Sequence, residues 1–386
     1  MKRVLIFSTA YYPFVGGAEV AVKEIAAHLS ADFEFELITA KLRGDLPDEE
    51  RIGNILVHRI GSGDLFWDKL FLPFKGAIKA YRLTKEKEFF CFWGIMATFA
   101  SGAGYICNII RRLRGLKKIP IILTLQEGDS EDHMRYRRGG LIHLSWWLAL
   151  KNTDVLTGLS NFLLARAKLM GYSGPAVLIP NGVNIPLFSQ QVSQSEKEKI
   201  KKHFGKRDTD VYLITTSRLV KKNAVDDIIS SLIFLPENFS LLVIGKGEEG
   251  PHLSKLADEL GVANRVKFIG FVPQEDIPLY FSICDIFVRP SRSEGFGNSF
   301  IEAMAAGLPV IATPVGGIVD FLDDKETGVF CCPDNPKSLA EAINLLTDDK
   351  ALSVHIVRNA YDRVVSQYSW DHVADEMGEV FKKIVK

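Results

Sequence analysis

Glu294 and Glu302 stand eight residues apart in RPSRSEGFGNSFIEAMAAG, residues 289 to 307, with Gly295 and Gly297 between them. The preceding DIFVRPS has the continuous apolar character of a buried strand. SEGFG has that of a turn, and NSFIEAMAA that of a helix stopped by Gly307 and Pro309. In an open α/β sheet the carboxyl ends of the strands face the ligand crevice. The amides of Gly297, Asn298 and Ser299 then lack carbonyl partners within the helix and lie at its positive end, which makes a seat for a phosphate. Glu294 stands just before that seat and Glu302 one turn inside the helix. A carboxylate accepts hydrogen bonds at both oxygens, so one glutamate can hold hydroxyls beyond the phosphate and the other a vicinal diol. The plainer alternative is a helix-capping acid and an acid on a solvated face, and the pair alone does not decide between the two.

The elements that would position these groups recur along the chain. RVLIFST precedes AEVAVKEIAAHLS, IPIILTL precedes a helical stretch near 141 to 151, and DVLTGLS precedes NFLLARAKLMG. The rhythm resumes with DVYLITTS, SLLVIGKG followed by PHLSKLADELG, RVKFIGF, DIFVRPS and PVIATPV. Continuous apolar strands alternating with helices indicate parallel sheets covered on both faces. Residues 177 to 210, rich in Pro, Asn-Gly, Gln, Ser and charge, mark a junction between two such sheets. The uncharged FFCFWGIMATFASGAGYICNII, residues 89 to 110, has the length of a membrane span, but its glycines and polar residues predict a buried strand, a turn and a helix. The opening MKRVLIFSTAYYPF lacks a small-residue cleavage site and reads as a first buried strand.

A chain of 386 residues that is 47% apolar is too long for one ordinary core, and predicts two domains of roughly 150 to 200 residues. Lys+Arg and Asp+Glu both number 47, so overall charge gives no argument for nucleic acid as a partner. The balance is uneven along the chain: residues 1 to 180 hold 24 Lys/Arg and 18 Asp/Glu, leaving 23 and 29 beyond, or +6 against −6. Five cysteines with no C-x-x-C pair fit a reduced, cytoplasmic chain with no metal ligands among them. GKGEEG, Gly245 to Gly250, formally matches G-x-G-x-x-G. Glu248 and Glu249 would repel a pyrophosphate, and no acid ends the next strand, so a dinucleotide site is set aside.

The segment RPSRSEGFGNSFIEAMAAGLPVIATPVGGIVDFL resembles the donor-site signature of glycosyltransferase family 4. YYPFVGGAE, PNGVN, SRLVKKN, FIGFV and a final YSWDHVADEMGEVFKKIVK match in the same order along nearly the whole chain. The resemblance implies an α/β chain of the GT-B fold, two Rossmann-like domains facing each other across a deep cleft. It places an acceptor-side domain at 1–182, a nucleotide-sugar-binding domain at 183–367 and a closing helix at 368–386 that crosses back to the first. It further implies a retaining transferase that moves a sugar from a nucleoside diphosphate, UDP or GDP, to a hydroxyl acceptor without metal or other cofactor.

Carried over motif by motif, Arg218 matches the arginine that holds the donor diphosphate, and a guanidinium can fork two phosphate oxygens. The family's lysine and glycine that follow are Asn223 and Ala224 here, so Lys222, beside Lys221, is the expected replacement. Gly16 and Gly17 match the loop that approaches the donor phosphates. Phe271 and Val272 match the region around the base, and as strand-end residues they could equally belong to the core. Gln126 stands where many relatives have a histidine, and cannot shuttle a proton. Glu127 and Asp129 nearby are candidates to face the acceptor. Glu294 is assigned to the transferred sugar, with Glu302 on the ribose.

Two rivals share this architecture: a sugar-nucleotide epimerase, and a carbohydrate- or nucleotide-binding protein without catalysis. The charge asymmetry, the runs RRLRGLKK (111–118) and RYRR (135–138), and the pair Trp146 and Trp147 also raise an anionic membrane surface as a partner of the first domain. The acceptor would then be lipid-linked or close to the membrane.

Overall fold

The computed structural model describes residues 1–128 and 141–384. The chain divides into two compact units, one of Met1–Gly182 with Trp370–Lys386 and one of Val183–Ser369. Each is a parallel α/β sheet with helices on both faces.

In the first unit the strands are β1 (Lys2–Phe7), β2 (Phe33–Ala40), β3 (Glu49–Ile52), β4 (Ile55–Ile60), β5 (Cys91–Ile95), β6 (Ile121–Leu125), β7 (Val155–Gly158) and β8 (Ala176–Leu178). Their order is β3-β4-β2-β1-β5-β6-β7-β8. Pairing is parallel throughout, as between β1 and β5, except for the antiparallel β3–β4 edge. The helices are α1 (Gly17–His28), α2 (Leu65–Glu86), α3 (Ser101–Leu113), α4 (Leu141–Lys151) and α5 (Asn161–Leu169). Side chains alternate across a strand, and β1 shows it. Val4 and Ile6 join a core with Val22 and Ile25 of α1, whereas Leu5 and Phe7 join one with Leu72 and Ala80 of α2 and Ala103 of α3. The uncharged 89–110 segment is β5, a turn and α3. Among the described residues no helix is long and apolar enough to cross a membrane.

The second unit has β9 (Val211–Thr216), β10 (Phe239–Ile244), β11 (Val266–Gly270), β12 (Ile286–Arg289), β13 (Val310–Ala312) and β14 (Val329–Phe330), in the order β11-β10-β9-β12-β13-β14. Its helices are α6 (Ile185–Phe188), α7 (Gln194–Phe204), α8 (Val225–Ser231), α9 (Gly250–Glu259), α10 (Ile277–Phe281), α11 (Asn298–Ala305), α12 (Pro336–Asp348) and α13 (Lys350–Gln367). The charged stretch before β9 is therefore partly helical: Ser193 caps α7 with Glu196 completing the capping box, and Gly205 at φ +70 closes it.

The last helix, α14 (Trp370–Lys383), belongs to the first unit. Its Phe381 is fully buried with ring centroids 5.3 Å from Phe33 and 5.4 Å from Trp93. Burying one such side chain is worth about 1.5–3 kcal/mol. The glycine of PNGVN has a packing role here, because a Cβ on Gly182 would lie 2.6 Å from the Trp370 ring.

Candidate active site

Arg289, the last residue of β12, organises the turn that carries both glutamates. Its guanidinium forms an ion pair with Glu294, donates to Ser299 Oγ at 2.8 Å and to Asn223 Oδ1 at 3.0 Å, and lies 5.3 Å from the Phe300 ring centroid. The second oxygen of Glu294 accepts from the Gly295 amide at 3.0 Å. Glu302 is buried too, and its Oε1 accepts from Gln274 Nε2 at 2.6 Å. Burial pushes its carboxyl up to about 7, against the lowering effects of the Gln274 hydrogen bond and the Arg289 charge. Neither glutamate lies on a solvated face.

The turn is held from beneath by aromatic packing. Phe300 of α11 meets Phe287 of β12 at 5.6 Å and Phe321 at 5.7 Å, and Phe296 meets Phe321 at 5.2 Å. Gly297 caps α11 at φ +95, where a Cβ would fall 2.6 Å from the Phe300 ring. Gly316 at φ +58 allows the next loop to touch the first, since a Cβ there would lie 2.0 Å from the Glu294 carbonyl oxygen. The Gly317 amide donates to that same oxygen at 3.1 Å. Gly297, Asn298 and Ser299 thus open α11, where first-turn amides have no helical acceptors.

Asn223, at the position of the family lysine, is buried. It donates to the Arg218 carbonyl at 2.6 Å while accepting from Arg289. The side chain of Arg218 is exposed, Lys221 is exposed and Lys222 is half-buried. Arg292 fixes the lysine loop in place. Its amide donates to the Lys222 carbonyl at 2.7 Å and its guanidinium to the Lys221 carbonyl at 2.8 Å. The same guanidinium takes Asp226 in a fork at 2.9 and 3.0 Å and reaches Asp227 at 3.1 Å. These acids raise the Arg292 guanidinium further, while burial pushes Asp227 up to about 6 despite the arginine.

Several polar atoms at the carboxyl ends of the central strands are buried without a hydrogen-bond partner among the described residues: Thr215 Oγ1 and Thr216 Oγ1 at the end of β9 with Ser217 Oγ just beyond it, and Arg289 Nε at the end of β12 with Ser291 Oγ just beyond it. Such groups are costly to leave unpaired and mark a place for a polar ligand or water. Phe271 is 68% exposed, so it is no core residue, and Val272 is half-buried. The GKGEEG glycines serve a steric purpose: a Cβ on Gly245 or Gly247 would lie 1.9 or 2.1 Å from the carbonyl oxygens of Ser217 and Leu219. An Asp-x-Asp triplet, Asp208 to Asp210, sits before β9, at the amino-terminal end of that central strand and away from the carboxyl ends, where Asp210 accepts from the Arg207 amide at 2.9 Å.

In the first unit, Gly16 and Gly17 begin α1 on the exposed surface, and the Gly16 amide donates to Glu19 Oε2 at 2.8 Å. Burial raises the Glu19 carboxyl, against those backbone hydrogen bonds. Gln126 is half-buried after β6. Glu127 is buried, and its oxygens accept from the Ala97 amide at 2.5 Å and the Gln126 amide at 3.2 Å. Its carboxylate therefore braces the loop after β5. Asp129 and RYRR lie outside the described residues. Trp146 is fully buried, which removes it from any surface role, whereas Trp147 is exposed with Lys151 Nζ 4.6 Å from its ring centroid.

Arg289, Arg292, Asn223 and Gln274 were not anticipated as site residues. Two of them stand inside the RPSRSEGFG turn itself, where an arginine at a strand end before a glutamate was the available signal.

The family model described as Glycosyltransferase Family 4 matches residues 15–186, and that described as Glycosyl transferases group 1 matches residues 196–363. The chain belongs to this glycosyltransferase family, and its two parallel-sheet domains have the GT-B fold. An uncharacterised glycosyltransferase of Methanocaldococcus jannaschii is 32% identical over 53% of this chain and 53% of its own. A GDP-mannose-dependent alpha-(1-6)-phosphatidylinositol monomannoside mannosyltransferase of Mycobacterium tuberculosis is 29% identical over 60% of this chain and 62% of its own. These matches span between half and two thirds of the relatives' length. Among solved structures, Anabaena HepE in complex with UDP-glucose superposes with a TM-score of 0.80 at 20% identity, over 99% of this chain and 100% of that one.

Proposed function

We propose that the protein transfers a sugar from UDP or GDP to a hydroxyl acceptor, with retention at the anomeric carbon and without metal or other cofactor. The observation that carries this reading is the arginine-centred cluster at the end of β12. It presents Glu294, Ser299 and the first turn of α11 on one rigid turn, with buried Glu302 within reach of the Arg289 charge. In this reading the α11 amides, Arg218 and Lys222 receive the diphosphate and stabilise it as it leaves. The bond from the anomeric carbon to the diphosphate oxygen breaks, the acceptor oxygen bonds to the same face of that carbon, and the acceptor proton passes to a departing phosphate oxygen. Glu294 holds the transferred sugar and Glu302 the ribose. Gly16, Gly17, Gln126, Phe271 and Val272 keep the roles implied by the family motifs. The mannosyltransferase relative and the HepE complex support a nucleotide-sugar donor, and the phosphatidylinositol monomannoside of the former supports a lipid-linked acceptor.

A thermal-shift screen of UDP, GDP and other nucleotides, with and without EDTA, tests the reading. A nucleotide at about 100 times its dissociation constant stabilises the protein by about 2.7 kcal/mol. Retained stabilisation in EDTA and transfer only when acceptor is supplied are the expected results. Binding lost in EDTA, or turnover of the donor to an epimer without acceptor, would overturn it.

A further inference from the structure

We infer that α2 is an interfacial helix that docks the first domain on an anionic lipid surface. It is apolar on two sides. Leu72, Gly76, Ala77, Ala80 and Leu83 are buried against the sheet and α3. On the outward side Trp67, Leu70, Phe71, Phe74 and Ile78 are exposed, with Trp67 and Phe74 each more than half accessible. Their spacing of three and four residues puts them on one stripe. Trp67 and Phe71 stack at 5.6 Å, forming a compact aromatic ridge. Isolated exposed apolar residues are ordinary, but a contiguous ridge of this kind marks an interaction surface.

The ridge rests on a firm base. A Cβ on Gly102 of α3 would lie 2.9 Å from Pro73, and one on Gly76 would lie 3.1 Å from Ala103, so glycines let the two helices pack closely. Both helices cover the same face of the sheet. The outer surface of α3 therefore lies on the same side of the domain, and it exposes Ile109 and Leu113.

The charge identifies the partner. On α2 the five residues Lys69, Lys75, Lys79, Arg82 and Lys85 are basic against two acids: Asp68, which is buried and bonded to the Ser62 and Gly63 amides, and Glu86 at the exposed end of the helix. The run at 111–118 adds five more cations and no acid, exposed from Arg112 to Lys118. An aromatic and aliphatic ridge flanked by lysine and arginine is the composition of a helix lying in the plane of an anionic bilayer interface. This deepens the reading of a lipid-linked acceptor by naming the surface that brings the enzyme to it.

The test is sedimentation of the full chain with vesicles of equal parts phosphatidylglycerol and phosphatidylcholine, against phosphatidylcholine alone. Binding should require the anionic lipid and weaken with salt. It should fall by at least about tenfold in Trp67→Ser/Phe71→Ser/Phe74→Ser and, independently, in Arg112→Gln/Arg114→Gln/Lys117→Gln/Lys118→Gln. Quenching of tryptophan fluorescence by brominated lipid should largely disappear in Trp67→Phe, which keeps the ridge apolar. Stabilisation by nucleotide should survive in all of these variants, so loss of docking and failure of the transfer reading are separable. Vesicle binding unchanged in the aromatic variant overturns the inference. So does a dimer that dissociates in that variant while the parent chain ignores vesicles, because the ridge then covers a second copy of the chain.

Discussion

The guanidinium of Arg289 is ion-paired with Glu294 and near enough to Glu302 for its charge to lower that carboxyl. The two glutamates that bracket the glycine turn are therefore linked through one cation. Their environments differ: Glu294 is bonded to a guanidinium and an amide, Glu302 to a neutral side-chain amide.

That difference predicts a division of labour. Glu302→Ala should weaken free UDP or GDP by about tenfold or more, the loss of hydrogen bonds to a charged acceptor. Glu294→Ala should spare free nucleotide and lower transfer by about a hundredfold or more. Titration calorimetry beside steady-state kinetics measures both. Equal losses of nucleotide affinity would remove the distinction.

Glu302 also makes stability depend on pH. The folded protein keeps its proton to about pH 7, while the unfolded chain releases it near the ordinary glutamate value of about 4.3. Between these values the folded state binds more protons, so this group's contribution to stability is full below about 4.3, declines as pH rises and is gone above about 7. Glu302→Gln removes the decline and should stabilise the protein at pH 8 by up to about 3 kcal/mol in urea titrations. Nucleotide affinity should rise through pH 7 in the parent protein, as the carboxylate ionises to accept ribose hydroxyls, and be flat in the variant.

Restoring the family lysine should fail. Asn223→Lys places an ammonium beside Arg289 and breaks the bond to the Arg218 carbonyl, at a predicted cost of about 2 kcal/mol. Lys222→Ala should instead lower kcat more than donor affinity, since a cation there acts chiefly on the charge of the leaving diphosphate. Normal turnover in Lys222→Ala would assign that side chain to the surface.

Arg292 acts through the lysine loop. Arg292→Ala leaves Asp226 and Asp227 facing each other without a cation, at a cost of about 2 kcal/mol after allowing for partial exposure. It should also lower kcat by misplacing Lys222. In a double-mutant cycle the kcat losses of Arg292→Ala and Lys222→Ala should be strongly less than additive. Additive losses would show that Arg292 contributes to stability alone.

The strands that position the site were legible because they are uninterrupted apolar runs ending in glycine or serine, as DIFVRPS and SLLVIGKG show. The edge of the first sheet was not. Glu36 in β2 and His58 in β4 interrupt the apolar pattern, and only the fold reveals that they bond to each other at 3.0 Å in the interior. Helix α2 escaped for the opposite reason, since apolar residues on two sides of it obscure the usual one-sided period. At the site, side chains with obvious chemistry stood out, whereas Asn223 and Gln274 matter through what they bond to across the sequence.

The placement of α14 sets the order in which the domains can form during synthesis. The core of the first unit contains Trp370, Val373, Met377 and Phe381, while residues 183–369 form the other unit. The ribosome therefore completes the whole second domain before it delivers the last piece of the first. The second domain can fold as a contiguous segment as it emerges. Until α14 arrives, the first waits with the apolar surface around Phe33, Phe35 and Trp93 uncovered, the kind of surface that chaperones hold.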